Sequence, residues 1–133
     1  VVEAGVLKGY FLSTYSARKL GMRTTGNAGG SHNLIVRPGK RDLVGLAALM
    51  GRGLLVTEVL GQGVNYVTGD YSRGASGYWV ENGEIRHPVQ EITIAGNLKD
   101  MLRGIVAVGS DVLVRGSKQV GSILLERMTI AGA

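Results

Sequence analysis

The chain has 133 residues, 44% of them hydrophobic and 19% charged; that is enough to bury a core and excludes global disorder. It has no cysteine, which excludes disulfides and thiolate zinc sites within this sequence, and no run of about 18 apolar residues that would span a bilayer as a helix. The net charge is +5, with seven basic residues against Glu3 in residues 1–41 and eight basic against nine acidic in residues 42–133.

Glycine is abundant, with 22 residues against 2 prolines, well over twice the usual share of about 7%. No G-X-Y period accompanies it, so the glycines point to tight turns, bulges and close backbone contacts rather than collagen. The sequence opens on Val1-Val2 without an initiating Met and without a signal segment. It reads as a fragment of a longer protein folded as a single domain over 1–133.

In chain order, residues 5–13 read as a strand and Ser13 or Thr14 to Leu20 as a short helix, with Gly21 at the stop position. Residues 24–31 form a loop, 32–37 a strand closed by a Pro38-Gly39 turn. Asp42 caps a helix that Gly51 ends. That helix is apolar nearly all round, which predicts burial on more than one side. Residues 53–60 read as a buried strand, and residues 61–77 as a turn-rich centre. Asn82-Gly83 sets a hairpin pairing 76–81 with 84–89. Alternation over 90–95 buries Ile92 and Ile94. Asn97 caps a helix over 98–103 that Gly104 closes, and strands follow at 105–108, 111–115 and 121–130, the last with a break. The class is α+β: β-rich, a mostly antiparallel sheet or partial barrel with about three short helices.

No complete catalytic set emerges, and none is assigned. His32 and His87 lie 55 positions apart, without ligand spacing. Gly61-Gln62-Gly63 begins a phosphate-loop pattern, but Tyr66 stands where the third glycine belongs. Ser72 and Ser76 lack a nucleophile elbow. Glu58 sits in the apolar run LLVTEVL, so it either points out of an edge strand or pairs with a cation such as Arg73. Tyr10, Phe11 and Tyr15 lie near Arg18 and Lys19 without an RNA-recognition pattern, so nucleic acid is not the expected partner. Asp70, Tyr71 and Arg73 cluster among glycines in TGDYSRGASGYWVENGEI. Such a strand either accepts a peptide by β-augmentation or needs its glycines for a tight sheet crossing.

That segment, followed by HPVQEITIAGNLKDML, resembles the C-terminal domain of the PmbA/TldD family. YSARKLGMRTTGNAGGSHN, MGRGLLVTEVLGQGVN and the ending GSILLERMTIAG carry the resemblance along nearly the whole chain. The family was formerly called modulator of DNA gyrase. The resemblance implies a cytoplasmic two-subunit zinc metalloprotease linked to peptide-antibiotic maturation and antitoxin degradation. In that pairing the TldD-type subunit carries an HExxxH zinc helix and a C-terminal cysteine ligand. This sequence has no cysteine between Arg115 and Gly121, so it resembles the PmbA branch. The expectation is no metal or cofactor in this chain, zinc in a TldD-like partner, and a TldD-like subunit or second copy as partner. A peptide is the substrate, and Asp70, Tyr71 and Arg73 are substrate or interface contacts. The alternative is a non-enzymatic module binding nucleic acid or an acidic protein through the basic first third.

Overall fold

The computed structural model describes residues 1–132. In chain order the elements are β1 (Val2–Glu3), β2 (Val6–Leu7), α1 (Thr14–Lys19), β3 (Leu34–Ile35), α2 (Leu43–Met50), β4 (Gly53–Leu60), β5 (Asp70–Glu81) and β6 (Glu84–Asn97). There follow α3 (Leu98–Arg103), β7 (Ile105–Val108), β8 (Leu113–Arg115), β9 (Lys118–Val120), β10 (Ile123–Leu125) and β11 (Thr129–Ala131). They fall into two compact units, one of residues Val1–Ile35 and Val114–Gln119, the other of Val36–Leu113 and Val120–Ala133.

The larger unit is built on a four-stranded antiparallel sheet in the order β11-β6-β5-β4, with β7 and β10 as a separate antiparallel pair. Its spine is the β5–β6 hairpin. Asn82 and Gly83 take φ of 54° and 77° at the turn, the left-handed pair that a two-residue hairpin loop requires. Ala75, Ile92 and Ile94 form the core, with Leu54, Val56, Val59, Tyr71, Val89 and Met128 packed against it. The strands run past the expected 76–81 and 84–89: β5 starts at Asp70, so Gly74 and Gly77 lie in a strand rather than in turns. A side chain at Gly77 would overlap the Leu55 carbonyl oxygen. The glycine therefore serves a tight sheet crossing.

The smaller unit has a β1–β2 hairpin reversed at Ala4 and Gly5, both at positive φ. That turn explains why residues 5–13 do not form one strand. Beyond Leu7 the backbone bonds leave the ladder: Thr25 Oγ1 accepts from Leu12 N at 2.8 Å and Thr24 Oγ1 donates to Leu12 O at 2.9 Å. Helix α1 begins at Thr14, one of the two expected starts, and Ser13 is its cap, closing a capping box with Ser16. β3 pairs in parallel with β9, an exception to the antiparallel rule elsewhere. Three further differences lie in the larger unit. Gly39 makes a close approach to the Val108 carbonyl instead of a hydrogen-bonded turn. Only Leu46 of α2 is buried, and Val44 is 73% exposed; nothing in the described residues packs on that side of the helix. The stretch 121–130 divides between β10 and β11, which join different sheets. No closed barrel forms among the described residues.

Candidate functional site

Asp70, Tyr71 and Arg73 stand at the start of β5, and the structure gives each a different setting. Asp70 closes a loop. Its carboxylate accepts from Thr68 Oγ1 at 2.6 Å and from Asn97 Nδ2 at 3.3 Å, and the Asn97 amide also donates to Thr68 O at 3.0 Å. Asn65 completes the loop, its side-chain oxygen accepting from the Val67 and Thr68 amides. Asn97 meanwhile caps α3 through Lys99 N at 3.1 Å. One asparagine thus fastens the 65–70 loop and starts the next helix. Arg73 reaches the end of β4: Nε donates to Leu60 O at 3.4 Å and Nη2 to Val59 O at 3.3 Å.

Tyr71 is half-buried and faces a hollow of about 490 Å³. The hollow is lined by Leu46 and Met50 of α2, Leu54 of β4, Met101 of α3 and Met128, with Arg52, Glu126 and Arg127 among its polar atoms. Its size is that of a ligand pocket, and its walls are mostly apolar with few charges, as such pockets are. Arg52 is also held over the Trp79 ring at 5.5 Å. Five β4 residues, Gly53, Leu54, Leu55, Val56 and Val59, line the hollow, so it runs along that strand.

Among the described residues, strand β4 is an edge of the four-stranded sheet and pairs only with β5. An open edge offers unpaired backbone groups to another extended chain. By contrast β5 has β4 on one side and β6 on the other, so a peptide cannot add to it over its paired length. The free edge therefore lies one strand away from Asp70, Tyr71 and Arg73, on β4. Glu58 resolves the same way: it is exposed on the edge strand beside a register shift at Thr57, and Arg73 does not pair with it. A bulge and an outward charge are devices that discourage edge-to-edge aggregation.

Metal chemistry has little to work with. Among the described residues no group of three His, Cys, Asp or Glu could hold an ion. His32 contacts the Asn27 amide at 3.3 Å, and exposed His87 sits opposite Trp79 in the sheet. The zinc that the resemblance implies does not fit the residues present here.

Sequence reasoning missed the Asn65, Thr68 and Asn97 contacts, although the spacing N-x-x-T-x-D is a loop-closing signature. It also missed Asp111, whose carboxylate accepts from Ser122 Oγ at 2.6 Å and Ser122 N at 3.2 Å. The Ser122 hydroxyl is the main reason its pKa falls below the ordinary value.

The family model for the PmbA/TldA metallopeptidase C-terminal domain matches residues 1–132. The chain is 59% identical over 133 residues to the Metalloprotease PmbA homolog of Haemophilus influenzae and 55% identical over 132 residues to Metalloprotease PmbA of Escherichia coli O157:H7. These alignments take in 99% of this chain but only 30% and 29% of those proteins. Similarity to the Zinc metalloprotease TldD homolog of Saccharolobus solfataricus is lower, 29% over 122 residues. Among solved structures, a Thermotoga maritima protein named for a proposed modulation of DNA gyrase superposes with a TM-score of 0.83 at 45% identity. That match covers 98% of this chain and 32% of that one. No helix is long and apolar enough to cross a membrane among the described residues.

Proposed function

This chain belongs to the PmbA/TldD metallopeptidase family, and on that premise we propose that it is the C-terminal domain of a PmbA-like subunit of a cytoplasmic zinc peptidase involved in peptide maturation and proteolysis. In this reading it supplies peptide-binding and subunit-interface surface, and the metal is held by a TldD-like partner. Identity of 59% to a PmbA homolog against 29% to a TldD homolog supports the branch. The observation that carries the peptide role is the coincidence of an open eight-residue edge, β4, with an apolar hollow running along it. Main-chain pairing along an edge gives affinity without reading sequence, and a pocket beside it selects the side chain presented. The hollow, walled by Leu46, Leu54, Tyr71 and three methionines, suits an aliphatic or aromatic residue, because Met side chains adapt to varied shapes. Asp70 and Arg73 act here by holding the loop and the strand end beside that edge.

The test fills the hollow. Ala47 lines it from α2 and is half-buried. In the full-length protein reconstituted with its TldD-like subunit, Ala47→Phe lowers turnover of an unstructured peptide by on the order of tenfold, about 1.4 kcal/mol of transition-state stabilisation, while circular dichroism and melting stay unchanged. Full turnover by the folded variant rejects the hollow as a substrate site. Stoichiometric zinc with unaided cleavage by the isolated PmbA-like protein rejects the division of labour.

A further inference from the structure

Once the fold is known, the charge asymmetry of the sequence becomes sharper. The smaller unit contains Lys8, Arg18, Lys19, Arg23, Arg115 and Lys118 against Glu3 alone, whereas the larger unit holds nine basic and nine acidic residues. The whole +5 therefore belongs to the smaller unit. The cations of residues 114–119, distant in sequence, join those of the first 35. None of these six cations is in a salt bridge among the described residues.

Helix α1 gives that charge a face. Ala17 points inward at 2% exposure, and Tyr15 points outward at 70%. Arg18 and Lys19 follow Tyr15 at the three- and four-residue spacing that puts side chains on one side of a helix. Lys19 Nζ lies 5.5 Å from the centre of the Tyr15 ring. The same unit exposes Phe11, Leu20 and Met22, each near half or more. Only Leu12 and Ala17 are buried in it.

We propose that the Tyr15–Arg18–Lys19 face of α1, together with the exposed apolar residues of its unit, is a docking surface for a carboxylate-bearing polypeptide, the partner subunit of the preceding reading, on which this inference rests. Aromatic and aliphatic side chains mixed with arginine are the composition of a protein interface centre. Single-stranded nucleic acid would use the tyrosines for stacking but would leave Leu20 and Met22 without a role. A second copy is disfavoured by charge. A two-fold contact through this unit sets each patch against itself, which places cations against cations and costs affinity. A dissimilar subunit with carboxylates around an apolar patch meets both features.

The experiment measures association of the full-length protein with its TldD-like subunit by titration calorimetry, separately from proteolysis. Raising salt from about 50 mM to about 300 mM weakens wild-type association several-fold, because exposed charges are screened. The R18E/K19E double variant and Tyr15→Ala each weaken it by about tenfold or more with unchanged circular dichroism, since all three side chains are exposed. Unchanged affinity in both folded variants overturns the docking surface and leaves the peptidase reading standing. Absence of association between the wild-type subunits overturns both. Retention on a short DNA duplex that R18E/K19E abolishes, with subunit affinity intact, assigns the face to nucleic acid and overturns the proposal. Self-association of the wild type lost in R18E/K19E overturns the choice of a dissimilar partner.

Discussion

In the larger unit, β5 and β6 run for 12 and 14 residues and pair from Asp70–Asn97 to Glu81–Glu84, with register shifts between Ala75 and Gly77 and between Trp79 and Val80. In the smaller one, β1, β2 and β3 are two residues each, and order comes from a capping box and from threonine hydroxyls bonded to Leu12. The larger unit is electrically balanced, and the smaller one carries all of the excess charge. A long antiparallel ladder with a buried face supplies its own stability. Short elements fastened by side-chain bonds open more readily and are where binding segments are drawn from. The pairing of weak internal packing with unpaired charge is what a surface completed by a partner would have.

The largest effect is expected where the ladder is tightest. A methyl group at Gly77 would run into the Leu55 carbonyl oxygen and the Val56 backbone. Backbone cannot rotate away as a side chain does, so Gly77→Ala should cost about 2–3 kcal/mol in urea denaturation. A loss below about 0.5 kcal/mol would mean that β4 and β5 can separate at no great expense, and the contrast between the two units would fail.

A smaller and more local loss is expected from the cap of α1. Ser13 accepts from Ser16 N at 3.2 Å, and Ser16 Oγ accepts from Ser13 N at 2.9 Å. Ser13→Ala removes one half of this reciprocal pair, worth about 1 kcal/mol. Amide exchange should accelerate in residues 14–20 while β5 and β6 keep their protection. Uniform acceleration across both units would show that they unfold together.

How far the sequence reveals this molecule follows the same division between local and non-local causes. Asp42 and Asn97 as caps, Gly51 and Gly104 as stops, the Asn82-Gly83 turn and the Ile92/Ile94 alternation are all written within a few residues, and all appear in the structure. The segment from Asp70 supports two readings, a glycine-spaced strand and part of a turn-rich centre, because glycines in a strand look like glycines in turns until the neighbouring carbonyl is in view. Which strand keeps a free edge depends on sheet order, and no local pattern shows that β4 rather than β5 stands at the edge. The hollow draws its walls from α2, β4, β5, α3 and the residues after β10, and no local pattern announces such a meeting. Helix α2 is the opposite case: its uniform apolarity was plain, but burial of its outer side requires a neighbour that the described residues do not provide.

The smallest expected effect concerns acid. Asp111 is exposed, yet its carboxylate holds Ser122 through both hydroxyl and amide, and Gly109 N bonds back to Ser122 O at 2.7 Å. Glycine is needed at Gly121, where a side chain would overlap the Gly109 carbonyl. The Ser122 hydroxyl, ahead of the opposing desolvation and the supporting backbone bonds, lowers the Asp111 pKa from 3.8. A depressed carboxylate contributes stability that is present above its unfolded value and disappears as pH falls through the folded one. The contribution should therefore hold at neutral pH and vanish below pH 3.8. Ser122→Ala should raise the Asp111 pKa toward that value in a carboxyl NMR titration. It should cost only a few tenths of a kcal/mol at neutral pH, since solvent screens an exposed carboxylate, and the difference from wild type should shrink to that of the lost methyl-to-hydroxyl contact at low pH. A pKa that does not move would assign the depression to the backbone amides, and the joint between β7 and β10 would then rest on main chain alone.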